Sequence, residues 1–211
     1  MEIARQDPDQ LLRAIRNDIS SGSRGKLKIF FGYAAGVGKT YAMLQAAHQA
    51  KERGLDIVAG YIEPHARPQT TALLSGLEQL PVKEISYNGI TLREFDIDAA
   101  LKRKPQLILV DEFAHTNAEG SRHAKRYQDV QELLKAGINV YTTVNVQHIE
   151  SLNDTVAAIT GIMVRERIPD SVFDEAIGAG GYRVSGTSER LGGNVLREEQ
   201  AERCSEFYRE N

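Results

Sequence analysis

An α/β fold with a mostly parallel sheet and helices on both faces is predicted by three observations. Strand and helix signatures alternate along most of the 211-residue chain. Residues 26–40, Lys-Leu-Lys-Ile-Phe-Phe-Gly-Tyr-Ala-Ala-Gly-Val-Gly-Lys-Thr, read as an apolar strand, a glycine-rich turn and a helix start. Residues 107–112, Leu-Ile-Leu-Val-Asp-Glu, are an apolar run too continuous for a half-exposed strand, ending in two acids.

The elements follow in order. Asp7-Pro8-Asp9-Gln10 resembles a capping box, and Leu11, Leu12, Ile15 and Ile19 continue it at helical spacing. After Ser-Gly-Ser-Arg-Gly at 21–25, the pattern predicts a strand over 27–31, a helix over about 39–52, a strand over 56–62, a short helix over about 68–76 and a strand over 82–87. A short helix near 95–103, the strand 107–111, a helix over about 122–136, a strand over 138–146, a helix over about 148–160 and a strand over 162–168 complete the alternation. Ligands of such sheets bind at the carboxyl ends of the strands.

The glycine-rich turn has the layout of a phosphate cradle, which makes the expected architecture a three-layer P-loop NTPase-like fold. Gly36 and Gly38 accept positive φ and leave backbone N–H groups open toward an anion, and the helix starting near Lys39 adds its N-terminal dipole. Lys39 would meet the β- and γ-phosphates of ATP, and the Thr40 hydroxyl would join a Mg²⁺ shell. The strict spacing places a first glycine at position 33, where the chain has Tyr33; Gly32 stands one residue early. The plainer alternative is a tight strand-to-helix turn.

The acid-ended strand is expected beside the phosphate-binding strand, with Asp111 reaching the Mg²⁺ shell and Glu112 orienting or deprotonating a water. A helix cap for Asp111 and a solvated carboxylate for Glu112 are the alternatives. The candidate nucleotide contacts are Gly32, Ala35, Gly36, Val37, Gly38, Lys39, Thr40, Tyr41, Asp111 and Arg122, with Glu112 as the catalytic candidate and Thr40 and Asp111 as metal ligands.

Three more loops could serve the same site. Glu63-Pro64-His65-Ala66-Arg67-Pro68 is either a rigid turn or a functional cluster. Arg122 and Arg126, in the segment after the acids, could meet phosphate or sit at a solvated helix entry. Thr142, Thr143, Asn145 and Gln147 could sense the γ-phosphate or do ordinary strand and cap chemistry.

Composition excludes several classes. His48, His65, His115, His123 and His148 show no metal-ligand spacing, no Gly-x-Ser-x-Gly elbow occurs, and the absence of Asn-Lys-x-Asp disfavours a GTPase. A net charge of −3 gives no support to nucleic-acid binding. The single Cys204, the lack of a long apolar run and a start without a signal-peptide stretch suit a cytoplasmic protein.

The runs Gly-Lys-Leu-Lys-Ile-Phe-Phe-Gly with Ala-Ala-Gly-Val-Gly-Lys-Thr, Gly60-Tyr-Ile-Glu-Pro-His, Leu-Ile-Leu-Val-Asp-Glu-Phe-Ala-His-Thr-Asn and Tyr141-Thr-Thr-Val-Asn-Val-Gln-His-Ile-Glu-Ser-Leu-Asn-Asp resemble the N-terminal cytoplasmic domain of KdpD-type osmosensitive potassium-transport sensor histidine kinases. The resemblance covers about residues 8–176; residues 177–211 do not resemble the family's continuation. The family shares the shifted glycine of this loop, so Tyr33 is a variation where most members have a small residue.

The resemblance implies an ATP-binding sensory module of a two-component system controlling potassium-transport genes, on the cytoplasmic face of the inner membrane. Its partners would be nucleotide, the remaining domains of a membrane-bound sensor kinase and, indirectly, its response regulator; a homodimer stays open. The chain shows no phosphoaccepting-histidine helix and no kinase glycine boxes, so at most slow ATPase activity is expected. The rival is a free-standing small-molecule kinase or ATPase with Glu63 on the acceptor side and Arg122 or Arg126 in a lid. The expected organisation is an N-terminal helix and linker over 1–25, the nucleotide-binding sensor domain over 26–176 and a loosely ordered tail over 177–211.

Overall fold

A computed structural model describes residues 24–32, 36–63, 68–87, 89–160, 164–173 and 182–185. The expected N-terminal helix, Ala35 and the Pro64–Arg67 cluster lie outside the described residues. Among the described residues, eight strands and five α-helices follow one another: β1 (Leu27–Gly32), α1 (Lys39–Glu52), β2 (Ile57–Tyr61), α2 (Pro68–Leu74), β3 (Glu78–Gln79), β4 (Lys83–Tyr87), β5 (Ile90–Glu94), α3 (Ile97–Arg103), β6 (Leu107–Val110), α4 (Arg126–Lys135), β7 (Asn139–Asn145), α5 (Glu150–Thr160) and β8 (Tyr182–Ser185).

The main sheet runs β3-β2-β6-β7-β1-β8, with every pairing parallel. Side-chain alternation sorts its strands into two cores. Phe30, Leu107 and Leu109 pack with Met43, Leu44 and Ala47 of α1, while Leu73 and Leu74 of α2 lie against the same cluster. Ile29, Ile108, Val110 and Val140 pack on the opposite face with Ile97 of α3, Val130 and Leu133 of α4, and Leu152 of α5. A sheet covered on both faces needs apolar residues at successive positions, and all four residues of β6 are buried. No helix among the described residues is long and apolar enough to cross a membrane.

The sheet order corrects one expectation. β6 does not lie beside β1; β7 stands between them, with Leu27 opposite Val140 and Leu109 opposite Tyr141. Adjacency of two motif-bearing strands cannot be read from either motif, because it depends on where the later strand β7 inserts.

Other differences have local causes. The strand expected over 82–87 forms, but it pairs antiparallel with β5 in a separate hairpin through the turn at Gly89, where φ is +81°. The strand expected over 162–168 is absent from its described part. Residues 164–168 hold only a bridge between Ile149 and Ile168, and the place beside β1 is taken by β8. β8 falls in the segment 177–211 expected as a tail, most of which lies outside the described residues. The helix expected from 122 begins at Arg126, because residues 116–125 close a loop through a Thr116–Lys125 bridge and the bond from the Asn117 N–H to the Ala124 carbonyl at 3.0 Å.

Gly25 leads into β1 and donates its N–H to the Leu134 carbonyl at 2.8 Å, and any Cβ there would collide with the Ile138 carbonyl oxygen. Gly25→Ala should therefore lower stability by about 1–3 kcal/mol, since backbone on both sides must move. Urea unfolding would test it, and an unchanged midpoint would show that the chain leading into β1 shifts without cost.

Candidate functional site

β1 ends at Gly32, and the chain turns through Gly36 (φ +85°) and Gly38 (φ +90°) into α1. Gly38 is the N-cap of α1 in the left-handed region; no side chain caps the helix and no acid stands in its first turn. Its first N–H groups and dipole are thus directed at whatever lies before the helix. Gly32 lies beneath the turn, where a Cβ would overlap Val37 and the Lys39 stem, so its lack of a side chain lets Lys39 cross the end of β1.

Side-chain parity brings the acid of β6 to the same place. Asp111 follows Leu107 and Leu109 on the α1 face, and Thr143 follows Tyr141 on that face of β7. The Thr40 hydroxyl donates to Asp111 Oδ2 at 3.1 Å. The Thr143 hydroxyl donates to Asp111 Oδ1, and the Glu112 N–H donates to that oxygen at 3.1 Å and to Thr143 Oγ1 at 3.2 Å. Asp111 is only 1% exposed, so these donors replace the water it has lost.

Glu112 adopts φ +58°, a left-handed conformation that costs a non-glycine residue roughly 1–2 kcal/mol. Burial, then the nearby Glu63 and Asp111 carboxylates, push its carboxyl above the ordinary range, against the opposing charges of Arg126 and His115. A carboxyl raised in this way is suited to exchanging protons.

A cleft of about 870 Å³ opens over these groups. Its walls include Gly36, Val37, Gly38, Lys39, Thr40, Tyr41, Asp111 and Glu112, eight of the eleven candidates named from the sequence. Ala35 lies outside the described residues, Gly32 sits below the turn, and Arg122 does not reach the cleft. Arg122 donates to Glu132 at 2.5 Å and 3.0 Å and to Asp98 at 2.8 Å.

The loop 113–125 folds inward on its own polar groups. Glu94, the last residue of β5, accepts from Arg126 at 2.8 Å, His115 at 3.1 Å and the Ala118 N–H at 2.9 Å. Burial would raise its carboxyl, but the His115 hydrogen bond, the Ala118 N–H and the charges of His115 and Arg126 outweigh that and hold it below the ordinary value. Arg126 is fully buried with its guanidinium 4.1 Å over the Tyr61 ring, which corrects its reading as a cation free to meet phosphate. The Tyr61 hydroxyl donates to Glu63 at 2.6 Å.

Thr143 and Asn145 line the cleft as β7 residues, whereas Thr142 points to the opposite face with its buried hydroxyl unpartnered. Thr70, Ala114, His115, Val144, His148 and Glu166 complete the walls. Sequence reading missed Thr70, Val144 and Glu166. Glu166 arrives because the Thr116 N–H donates to its carboxylate and His148 Nδ1 bonds its carbonyl, both at 2.8 Å, a fold-back without a local sequence signal. Among the described residues there is no cluster of three or more His, Cys, Asp or Glu able to hold a metal.

The model of the family described as "KdpD: Osmosensitive K+ channel His kinase sensor domain" matches residues 23–211. The chain belongs to this family. The match includes the segment 177–211 that the sequence reading had set outside the resemblance. The chain is 66% identical over 172 residues to the sensor protein KdpD of Clostridium acetobutylicum and 58% identical over 175 residues to that of Escherichia coli. These alignments cover 82% and 83% of the chain but 19% of each relative, so the chain spans about a fifth of their length. A putative sensor protein KdpD of Synechocystis is 54% identical over 153 residues, 72% of the chain and 41% of that relative.

Behind the loop, burial pushes the Asp129 carboxyl up to about 6; the Asn117 amide, donating at 2.7 Å, and the charges of His123 and Arg126 oppose the rise, while Glu132 adds to it. With a folded value above its ordinary 3.8, this group favours the fold when protonated, and that contribution is lost as pH rises through about 6. Asp129→Asn keeps an acceptor for Asn117, so the variant should gain on the wild type in urea midpoint as pH rises from roughly 4 to 6 and keep that gain at higher pH. Parallel pH profiles for the two proteins would refute this.

Proposed function

We propose that this domain binds Mg·ATP in the cleft above α1 and acts as the nucleotide-responsive regulatory module of a potassium-linked sensor histidine kinase. The observation that carries the reading is the Thr40–Asp111 hydrogen bond, which joins the glycine turn at the start of α1 to the acid at the end of β6. The positive-φ glycines and the uncapped helix start fit a polyphosphate. One hydroxyl with one carboxylate fits Mg²⁺, which keeps waters and takes its other ligands from phosphates.

In this reading the backbone N–H groups around Gly36 and Gly38 hold the phosphates, and Lys39 adds a charge-assisted contact. Bound Mg²⁺ would neutralise part of the phosphate charge. Thr143 orients Asp111, and Thr143 and Asn145 offer polar groups where β7 ends. The sensory role and the potassium link come from the names of the relatives and the family, the membrane-bound context from the sequence resemblance, and all three are proposals for this chain.

Glu112 favours a second reading, slow turnover by an ATPase or small-molecule kinase, because it faces the cleft with a raised carboxyl. In that reading it would orient or accept a proton from the attacking group. A turnover assay with candidate acceptors separates the two, since a sensor binds ATP while turning it over slowly or not at all.

Lys39→Ala should weaken Mg·ATP binding by about 1.5–3 kcal/mol, roughly ten- to a hundred-fold, with the fold intact. Calorimetric titration of ATP and GTP with Mg²⁺ would measure this; unchanged affinity in a folded variant sinks the site assignment. Asp111→Asn should reduce Mg²⁺-dependent binding, while Glu112→Gln should spare binding and slow any hydrolysis. Equal losses of binding in both variants would mean that the two acids do not divide the work in this way.

A further inference from the structure

Arg126 is the largest fully buried side chain among the described residues, and its surroundings do not account for it as a packing element. Its guanidinium pairs with Glu94 at 2.8 Å and stacks on Tyr61, yet its Nε is buried without a partner. A buried ion pair of this kind is seldom more stabilising than apolar residues of equal volume, so stability alone does not call for an arginine here. The remaining contact is to the site itself: Nη1 donates to the main-chain carbonyl of Asp111 at 3.4 Å.

That carbonyl belongs to the peptide leading into Glu112, whose φ of +58° persists only if its surroundings over-determine it. On the amide side, the Glu112 N–H is held by Asp111 Oδ1 and Thr143 Oγ1. On the carbonyl side, the Glu112 oxygen accepts the His115 N–H at 3.0 Å. The opposite end of the Asp111–Glu112 peptide is where Arg126 makes its contact.

We propose that Arg126 is a positioning residue, whose buried guanidinium holds the Asp111–Glu112 peptide so that the Glu112 carboxylate faces the cleft. The inference rests on the reading of Glu112 as the group that meets the bound nucleotide. It also gives the hairpin a part: Glu94, at the end of β5, fixes the guanidinium from the other side, so the hairpin base and the Glu112 turn share one anchor. Arg126 touches no ligand in this account and acts only through the backbone.

The test uses the whole chain with Arg126→Gln and Arg126→Lys. In unliganded protein, exchange of the Glu112 amide should accelerate about ten-fold or more in Arg126→Gln while the amides of β7 remain as in the wild type, and Arg126→Lys should recover part of the protection. With Mg·ATP, Arg126→Gln should keep its dissociation constant within about three-fold, and any turnover should fall about ten-fold in kcat with KM unchanged. If Arg126→Gln fails to fold, the pair Arg126→Gln/Glu94→Gln removes both buried charges and is read in the same way.

An unchanged Glu112 amide in a folded variant overturns the proposal. So does acceleration spread evenly over β7 and α4, which marks a purely structural role. Failure of the wild type to bind ATP would sink the proposed function, whereas the Glu112 amide of the unliganded protein would still report whether Arg126 holds the turn.

Discussion

The carboxyl group of Asp111 is the point on which the rest of the site depends. It is buried at the end of β6 and accepts from Thr40 at the start of α1, from Thr143 on β7 and from the next residue's own N–H. A buried acid without donors would cost several kcal/mol. Two of its three donors come from other elements, α1 and β7, so satisfying Asp111 sets the first turn of α1 against the middle of the sheet. The cleft exists because these parts converge, and they converge because residues of one parity on β6 and β7 face α1.

The loop 113–125 shows how a cation-rich segment can contribute little charge to the cleft beside it. Arg122 and His123 are drawn to Glu132, and Arg126 to Glu94. The loop thus closes on acids of α4 and β5, leaving His115 as its titratable side chain in the cleft wall. The same closure delays the start of α4 and places the Thr116 N–H where it reaches Glu166. Of the two arginines that could meet phosphate or sit at a solvated helix entry, Arg122 pairs with Glu132 and Asp98, and Arg126 is buried against Glu94.

The parallel α/β layering was legible because buried strands and amphipathic helices leave periodic marks, and α1 forms over the residues expected, Lys39–Glu52. The glycine turn and the acid-ended strand were legible as motifs, and the structure does bring Lys39, Thr40, Asp111 and Glu112 to one cleft. The order of the strands was not, since the insertion of β7 between β1 and β6 depends on long-range packing. Glu166 and the burial of Arg126 were equally hidden. Each depends on hydrogen-bond partners far away in sequence, Thr116 and His148 for the first and Glu94 for the second, and no local pattern records such pairs.

The charge balance of the cleft bears on what it could hold. Among the described residues lining it, Lys39 is the single lysine or arginine, whereas Asp111, Glu112 and Glu166 are acids. A bare triphosphate brought against those carboxyl groups would meet like charge at close range in a partly desolvated space, and one lysine with a helix N-terminus does not offset three acids. A divalent cation between the phosphates and Asp111 changes that balance by converting the nearest acid from a repelling group into a ligand. In the proposed reading, nucleotide and metal are therefore one requirement: Asp111, which would repel ATP alone, would become a ligand of the Mg²⁺ complex.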